Sequence, residues 1–356
     1  MRRALELAER GWGETAPNPM VGAVVVRDGE IVGEGWHARF GEAHAEVNAL
    51  RAAGERARGA TVYVSLEPCN HHGKTPPCVD ALIAAGVGRV VMAARDPSPV
   101  AAGGAPRLAA AGVETLIGLE ERDAVELNVP FFHAACSPRP WVTLKLALSL
   151  DGAIAAAGGA PCWLTGEESR REVHRMRAGA DAVAVGLRTA VADDPLLTVR
   201  DWPAPRVVPR RVVFDRTASL PPGSRLARTA REFPTIVLAR EPDAERAEAL
   251  GRLAVEVVAA PDLSAGLVAL RERGVRSLLV EGGARIAGAL LDGGLVDRLV
   301  IFQAPLVLGA GALNAFAEVA PRRAADLGRL EVLERRPFGD DLKTVYAISR
   351  GPCSPD

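Results

Sequence analysis

Apolar and polar positions alternate along the chain in two different periods. The run VGAVVVRDGEIVGEGW, from Val21, has the two-residue period of paired strands with a turn at Asp28–Gly29. HAEVNALRAAG, from His44, has a helical period and is closed by Gly54. ATVYVSLEPC reads as a strand ending at Cys69, and PPCVDALIAAG as a helix opened by prolines and stopped at Gly86. VGRVVMAARD, RLAAAG and VETLIG follow as strand, helix and strand, and MRRALELAERGWGE forms a short amphipathic helix ahead of them all. Strands alternating with helices predict a sheet with helices packed on its faces.

ERDAVELNVPFFHAAC reads as a connecting helix, and SPRP at Ser137–Pro140 as a joint, since neither proline continues a helix. The pattern then restarts. Strands are predicted at WVTLKLALSL, DAVAVG, RRVVFD, TIVLA, VEVVAA, RSLLVEGG, RLVIFQAPLVLG and KTVYAISR. Helices fall at GEESRREVHRMRAG, DAERAEALGRL, AGLVALRERG and ARIAGALLDGG, while GLRTAVADDPLLTVR and LPPGSRLARTAREFP read as loops. The prediction is two α/β domains, 1–138 and 139–356.

A length of 356 residues fits two cores better than one. With 43 basic and 44 acidic side chains the net charge is −1, which gives no reason to expect nucleic acid or an anionic membrane as partner. No apolar run approaches the roughly 20 residues needed to span a bilayer. The start has no long apolar segment of the export type, so a cytoplasmic location is expected. Five cysteines without an export signal predict no disulfide.

Four of the six histidines lie between His37 and His72, in the window that also contains or adjoins Cys69 and Cys78. His44 precedes a helix, Cys69 ends a strand and Cys78 opens a helix, and these ends meet at one edge of an α/β sheet. One imidazole and two thiolates form a zinc set with a fourth position open for water. Glu46 then gains a role, because a carboxylate beside such a water carries protons. His-x-Glu followed by Pro-Cys-x-x-Cys is the signature of zinc nucleobase deaminases. Here the second cysteine departs: eight residues separate Cys69 from Cys78, which leaves His71 and His72 as alternative donors. In the second half, Lys145 is the only cation of an apolar strand and so requires a partner or a ligand. Arg188, Thr189, Asp193, Asp194 and Arg200 crowd one polar segment, and Gly282–Gly283 before a helix suits a phosphate.

TAPNPMVGAVVV, GEGWH, HAEV and LEPCNHHGKTPPC together resemble the deaminase half of the bifunctional riboflavin-biosynthesis deaminase–reductases, in which the wide cysteine spacing is the usual form. LKLALSLDG, WLTG, HRMRAGADAVAVG, TAVADDPLLTVR and VEGGARIAGALL resemble the family's reductase half. The resemblance spans about Arg2 to Arg350. It implies a cytidine-deaminase-like α/β/α domain followed by a dihydrofolate-reductase-like α/β domain, with zinc and NADPH as cofactors. The implied substrate is a small phosphoribosyl pyrimidine, and the implied assembly a dimer or tetramer. It makes His44, Cys69 and Cys78 the metal ligands and Glu46 the proton carrier. Asn18, whose amide both donates and accepts, is matched to the substrate together with His37 and Lys74. Leu148, Trp163, Thr189, Asp193 and Gly283, Ala284, Arg285, Ile286, Ala287, Gly288 and Ala289 match cofactor positions. Lys145, Pro161, Arg177, Leu197, Arg200 and Glu281 match substrate positions, with Arg177 and Arg200 suited to a ribose phosphate. Pro161 departs from the family, because proline brings no side-chain donor. Two rival readings are a nucleic-acid deaminase with an appended module and a non-catalytic zinc protein. The neutral charge opposes the first and the intact His44–Glu46 pair opposes the second.

Overall fold

The structure, a computed structural model, describes residues 1–159, 163–316, 318–321 and 329–348. The chain divides into two compact units, Met1–Ala135 and Cys136–Asp356.

In the first unit the order is α1 (Arg2–Ala8), β1 (Gly22–Arg27), β2 (Glu30–Trp36), α2 (Ala45–Ala53), β3 (Thr61–Leu66), α3 (Cys78–Ala84), β4 (Arg89–Ala94), α4 (Gly104–Ala110), β5 (Glu114–Ile117), α5 (Glu121–Leu127) and α6 (Val129–Cys136). The sheet order is β2-β1-β3-β4-β5. β1 is antiparallel to β2 and β3, whereas β3, β4 and β5 are parallel. Asp28 and Gly29 both take positive φ, which matches the right-handed twist of a tight hairpin. Alternate residues of β1 and β3 join α2, α3 and α4 in one core that includes Val25, Val64, Ala49, Leu82 and Leu108. β3 stops at Leu66, three residues before Cys69, because Glu67 and Pro68 turn the chain out of the sheet. The predicted connecting helix is broken in two at Asn128, whose side chain bonds the Met20 backbone instead of continuing a helix.

The second unit runs β6 (Trp141–Leu148), β7 (Ala153–Ala155), α7 (Glu167–Ala178), β8 (Ala182–Gly186), α8 (Leu187–Asp193), β9 (Arg210–Phe214), α9 (Arg225–Arg228), β10 (Thr235–Ala239), α10 (Ala244–Arg252), β11 (Val255–Ala259), α11 (Leu263–Glu272), β12 (Ser277–Glu281), α12 (Ala284–Asp292), β13 (Arg298–Gln303), β14 (Leu313–Asn314), β15 (Glu331–Phe338) and β16 (Asp341–Ala347). Its large sheet has the order β11-β10-β9-β8-β12-β6-β13-β16-β15. The strands from β11 to β13 are parallel, and β16 and β15 close the edge antiparallel. Both faces are buried: Leu144, Leu146, Val280 and Leu290 lie in one core and Val183, Val213, Val237 and Leu250 in another. Near-continuous apolar strands such as TIVLA are what a doubly covered parallel sheet requires.

Two loop expectations fail here. The polar segment after Gly186 opens as α8, and α9 interrupts the proline-rich stretch after β9. Cys136 is disulfide-bonded, contrary to the expectation of no disulfide; sequence spacing carries no information on which sulfurs the fold brings together. Among the described residues no helix is long and apolar enough to cross a membrane.

Candidate active sites

Helix α2 is held in place by two missing side chains. A Cβ at Gly33 would lie 2.3 Å from the Ala49 carbonyl oxygen, and one at Gly35 would lie 2.4 Å from the Ala49 nitrogen. Glycine at both positions lets the helix lie directly on β2, with His44 and Glu46 at the edge where β2, β3 and β4 end. The Glu67–Cys69 turn is fixed as firmly. The buried Glu67 carboxylate accepts from the Asp96 and Ala105 N–H groups at 3.2 and 2.9 Å. A Cβ on Gly104 would collide with the Pro68 carbonyl at 2.0 Å, so the start of α4 rests against the turn.

These constraints bring three donors together. His44 Nδ1 lies 3.2 Å from Cys78 Sγ and 3.5 Å from Cys69 Sγ, and the three atoms all fall within 4.8 Å of one another. Donors about 2.0–2.3 Å from a tetrahedral ion stand roughly 3.3–3.8 Å apart, so the set fits Zn²⁺. His44 Nε2 faces the Thr75 hydroxyl at 3.4 Å, which leaves Nδ1 as the metal-facing nitrogen. A hydrogen bond from Cys78 outweighs burial and brings Cys69 down to about 4, while the same bond and burial push the Cys78 thiol up. One thiolate therefore stands ready beside the imidazole. Among the described residues no other group of donors is close enough to share an ion, so His71 and His72 lie outside the set.

Glu46 is buried beside this group. Burial, and then the charge of Cys69, pushes its carboxyl up from the ordinary carboxylate value, with His44 opposing. His37 is buried and held toward its neutral form, chiefly by desolvation. Its Nδ1 lies 3.3 Å from the Ala43 carbonyl oxygen, and its Nε2 lies 3.3 Å from the Asn18 amide nitrogen. With Nδ1–H donating to Ala43, Nε2 accepts from Asn18 and fixes which way that amide points. The His37 and His44 rings meet edge to face at 5.2 Å, so Asn18, His37 and the metal set form one cluster. Lys74 is exposed, with its ammonium over the Phe40 ring at 4.2 Å, next in sequence to the Thr75 that faces His44.

In the second unit Lys145 and Glu281 are register partners on the adjacent parallel strands β6 and β12. Arg177 grips the Glu281 carboxylate through Nε and a terminal nitrogen, at 2.5 and 2.8 Å. Burial alone would raise the Glu281 carboxyl; the Arg177 charge and hydrogen bonds, with Lys145 behind them, hold it down to about 2. Removing one member of such a buried pair costs about 3–5 kcal/mol, so Arg177 is committed to Glu281 and its remaining donors are few. Lys145 differs. Its ammonium lies 5.9 Å from the Phe302 ring, and among the described residues it makes no hydrogen bond or salt bridge. Burial pushes its pKa down, Glu281 resists, and Arg177 adds to the fall.

Gly283 has a φ of +91°, and a Cβ there would strike the Thr189 hydroxyl at 2.8 Å. Glycine is thus required where α12 begins, and it brings Thr189 of α8 against the amino end of α12. The side chains of Ile286 and Ala287 are core, and Gly288 packs on the Glu318 carbonyl, so these three offer a ligand nothing but backbone. Arg285 and Ala289 are exposed. Leu148 is buried at the end of β6, and Asp193 is exposed at the end of α8. Asp194 and Leu197 both adopt left-handed backbone, with φ of 37° and 54°, and Leu197 points into the core. Leu197 therefore also presents backbone to any ligand. Trp163 is 80% exposed, stacked 5.2 Å from the Arg170 guanidinium. Pro161 lies outside the described residues.

A cavity of about 600 Å³ opens where β9, β10 and β11 end, lined by Arg216, Arg240, Asp262 and the exposed Ala289 of α12 among others. Carboxyl ends of parallel strands are where ligands of open α/β sheets bind. Sequence reading missed this region because it needs three strands, starting at Arg210, Thr235 and Val255, placed side by side. Of the residues matched to the cofactor, Ala289 lines this cavity.

A His/Cys/Cys metal set beside a buried carboxylate, with a glycine-led helix start in the second unit, suits a two-centre enzyme, a hydrolytic deaminase joined to a reductase. Residues 1–94 match the family model "Cytidine and deoxycytidylate deaminase zinc-binding region", and residues 140–343 match "RibD C-terminal domain". The riboflavin biosynthesis protein RibD of Aquifex aeolicus is 45% identical over 97% of both chains. That of Escherichia coli is 42% identical over 96% of both. Among solved structures, Acinetobacter baumannii RibD, form 1, is 38% identical with a TM-score of 0.85, and each chain is covered to 97%. A Thermotoga maritima structure titled as a diaminohydroxyphosphoribosylaminopyrimidine deaminase/5-amino-6-(5-phosphoribosylamino)uracil reductase is 35% identical. It has a TM-score of 0.85, with 99% of this chain and 97% of that one covered. The chain belongs to the RibD family and is a bifunctional deaminase–reductase of riboflavin biosynthesis.

Proposed function

We propose that residues 1–138 remove an amino group, as ammonia, from a diamino-hydroxy-(5-phosphoribosylamino)pyrimidine. Residues 139–356 then reduce the ribosyl group of 5-amino-6-(5-phosphoribosylamino)uracil to ribityl. The observation that carries the first step is the convergence of His44 Nδ1, Cys69 Sγ and Cys78 Sγ beside the buried Glu46. These three side chains would hold zinc, which supplies activation of water at neutral pH. Glu46 takes a proton from the attacking water and hands one to the departing amine. Asn18, oriented by His37, pairs with the pyrimidine edge. Lys74 meets the ribose phosphate from the loop between the cysteines.

NADPH supplies the hydride for the second step. Thr189, Asp193 and the backbone of Gly283–Ala289 hold the cofactor near the start of α12, with Leu148 and Trp163 completing its surroundings. Lys145 turns its uncommitted ammonium to the oxygens of the sugar. Glu281, held ionised by Arg177, orients the same group, the Leu197 backbone borders it and Arg200 takes the phosphate. Pro161 has no donor to add there.

The cavity at the ends of β9–β11 would receive the far end of the dinucleotide, with Arg216 and Arg240, which pair with Glu241 at 3.0 and 3.5 Å, turning to the 2′-phosphate. Changing Arg216 and Arg240 together to alanine is expected to raise KM for NADPH about tenfold, the size of one or two charge-assisted contacts, and to leave KM for NADH as it was. Steady-state kinetics with both cofactors tests this. Equal changes for the two would move the phosphate elsewhere.

A cytoplasmic enzyme acting on a small molecule is proposed, and the near-neutral net charge gives no electrostatic reason for a nucleic-acid partner. The assembly is a homodimer or homotetramer. Deamination is tested by following ammonia release from the phosphoribosyl pyrimidine, and reduction by following NADPH oxidation with the deaminated product. A purified chain with only one of the two activities would contradict the assignment.

A further inference from the structure

His174 has no part in the chemistry above, yet it is buried on α7 one turn from Arg177. Its Nδ1 accepts a hydrogen bond from the Arg200 backbone N–H at 3.1 Å. Its Nε2 lies 3.3 Å from an Asp201 carboxylate oxygen. Only one form of the ring satisfies both contacts: a neutral imidazole with its proton on Nε2, donating to Asp201. Burial and the neighbouring charges of Arg177 and Arg200 favour that neutral form, against Asp201 and Glu281. Arg177 adds a second tie, donating to the Thr198 carbonyl at 2.9 Å while it holds Glu281. The Arg200 side chain closes a third contact, 3.4 Å to the Thr198 hydroxyl. The segment 198–201 is therefore fastened to α7 at two points, and His174 is the fastening next to Arg200.

We propose that His174 is a positioning residue for substrate binding in the reductase: it fixes the backbone of Arg200 so that the guanidinium meets the substrate's phosphate. This rests on the reading of Arg200 as the phosphate contact. Leucine removes both ring contacts at similar size. Asparagine keeps an acceptor where Nδ1 stood and so restores the bond from Arg200 N–H.

The test is steady-state reductase kinetics of H174L, H174N, R200A and H174L/R200A, using the phosphorylated substrate and its dephosphorylated form. H174L is expected to raise KM for the phosphorylated substrate about tenfold, the effect of one buried hydrogen bond. Its kcat, its KM for NADPH and its KM for the dephosphorylated substrate should each stay within twofold. H174N is expected to fall within threefold of the native KM. The double variant should be no worse than R200A alone, because two residues acting through one contact are not additive. An additive double variant, or a loss that H174N fails to rescue, overturns the proposal. So does a loss of equal size on the dephosphorylated substrate. If H174L does not fold, H174A and H174A/R200A take its place, and additivity there overturns the proposal in the same way. An R200A enzyme with native KM would instead remove Arg200 from the phosphate site, a failure separate from that of His174.

Discussion

Glu46→Gln is expected to lower the rate of ammonia release by about three orders of magnitude, within the range of general acid–base catalysis, while zinc content and NADPH oxidation stay at native levels. Glutamine keeps the size and the buried position but cannot cycle a proton. The carboxyl lies among three metal donors without being one of them, so its loss removes proton transfer and leaves the metal in place. Ammonia assay and metal analysis on the same preparation separate the two effects. Native ammonia release with zinc bound would take Glu46 out of the reaction.

Lys145→Met is expected to lower kcat/KM of the reductase by a factor of about 10²–10³, as for loss of one preorganised donor at a reacting centre, with deamination unchanged. Methionine preserves the length and packing of the side chain in an apolar strand, so the change isolates the charge. The site gives the ammonium no hydrogen bond or salt bridge among the described residues, and Glu281 across the ladder is already saturated by Arg177. An ammonium desolvated in that way gains most from a substrate oxygen. NADPH oxidation at native efficiency in the methionine variant would show that Lys145 is structural.

Much of this was legible in the residues, for physical reasons that differ from case to case. The Asp28–Gly29 hairpin and the Gly54 stop were readable because turn chemistry is local. The metal set was readable because His-x-Glu and Pro-Cys sit at element ends, and element ends of an α/β sheet share an edge. Other features depend on long-range packing. Glu67 sits directly before the Pro-Cys pair, but its role as a clamp on Asp96 and Ala105 appears only once β3 and β4 are neighbours. α8 was read as a loop because Asp193, Asp194 and Pro195 dominate its end, yet Ala190 anchors it in the core. β15 carries Glu331, Glu334, Arg335 and Arg336, and such a charged strand is stable only at an edge with β16 beside it. Arg177 was matched to the substrate, but its ion pair with Glu281, linking residues 104 positions apart, is visible only in the fold. His174 opens HRMRAGADAVAVG, but its contacts with residues 200 and 201 appear only in the fold, and the cavity arginines have no motif.

The account depends on one ion held by three side chains from three elements. Zinc content per chain, measured on the native protein and on Cys78→Ser after gel filtration, tests it most directly. One zinc per native chain and less than a tenth of that in the serine variant is the expected result. A variant with its full zinc complement, or a native chain that binds none when zinc is supplied, would contradict it.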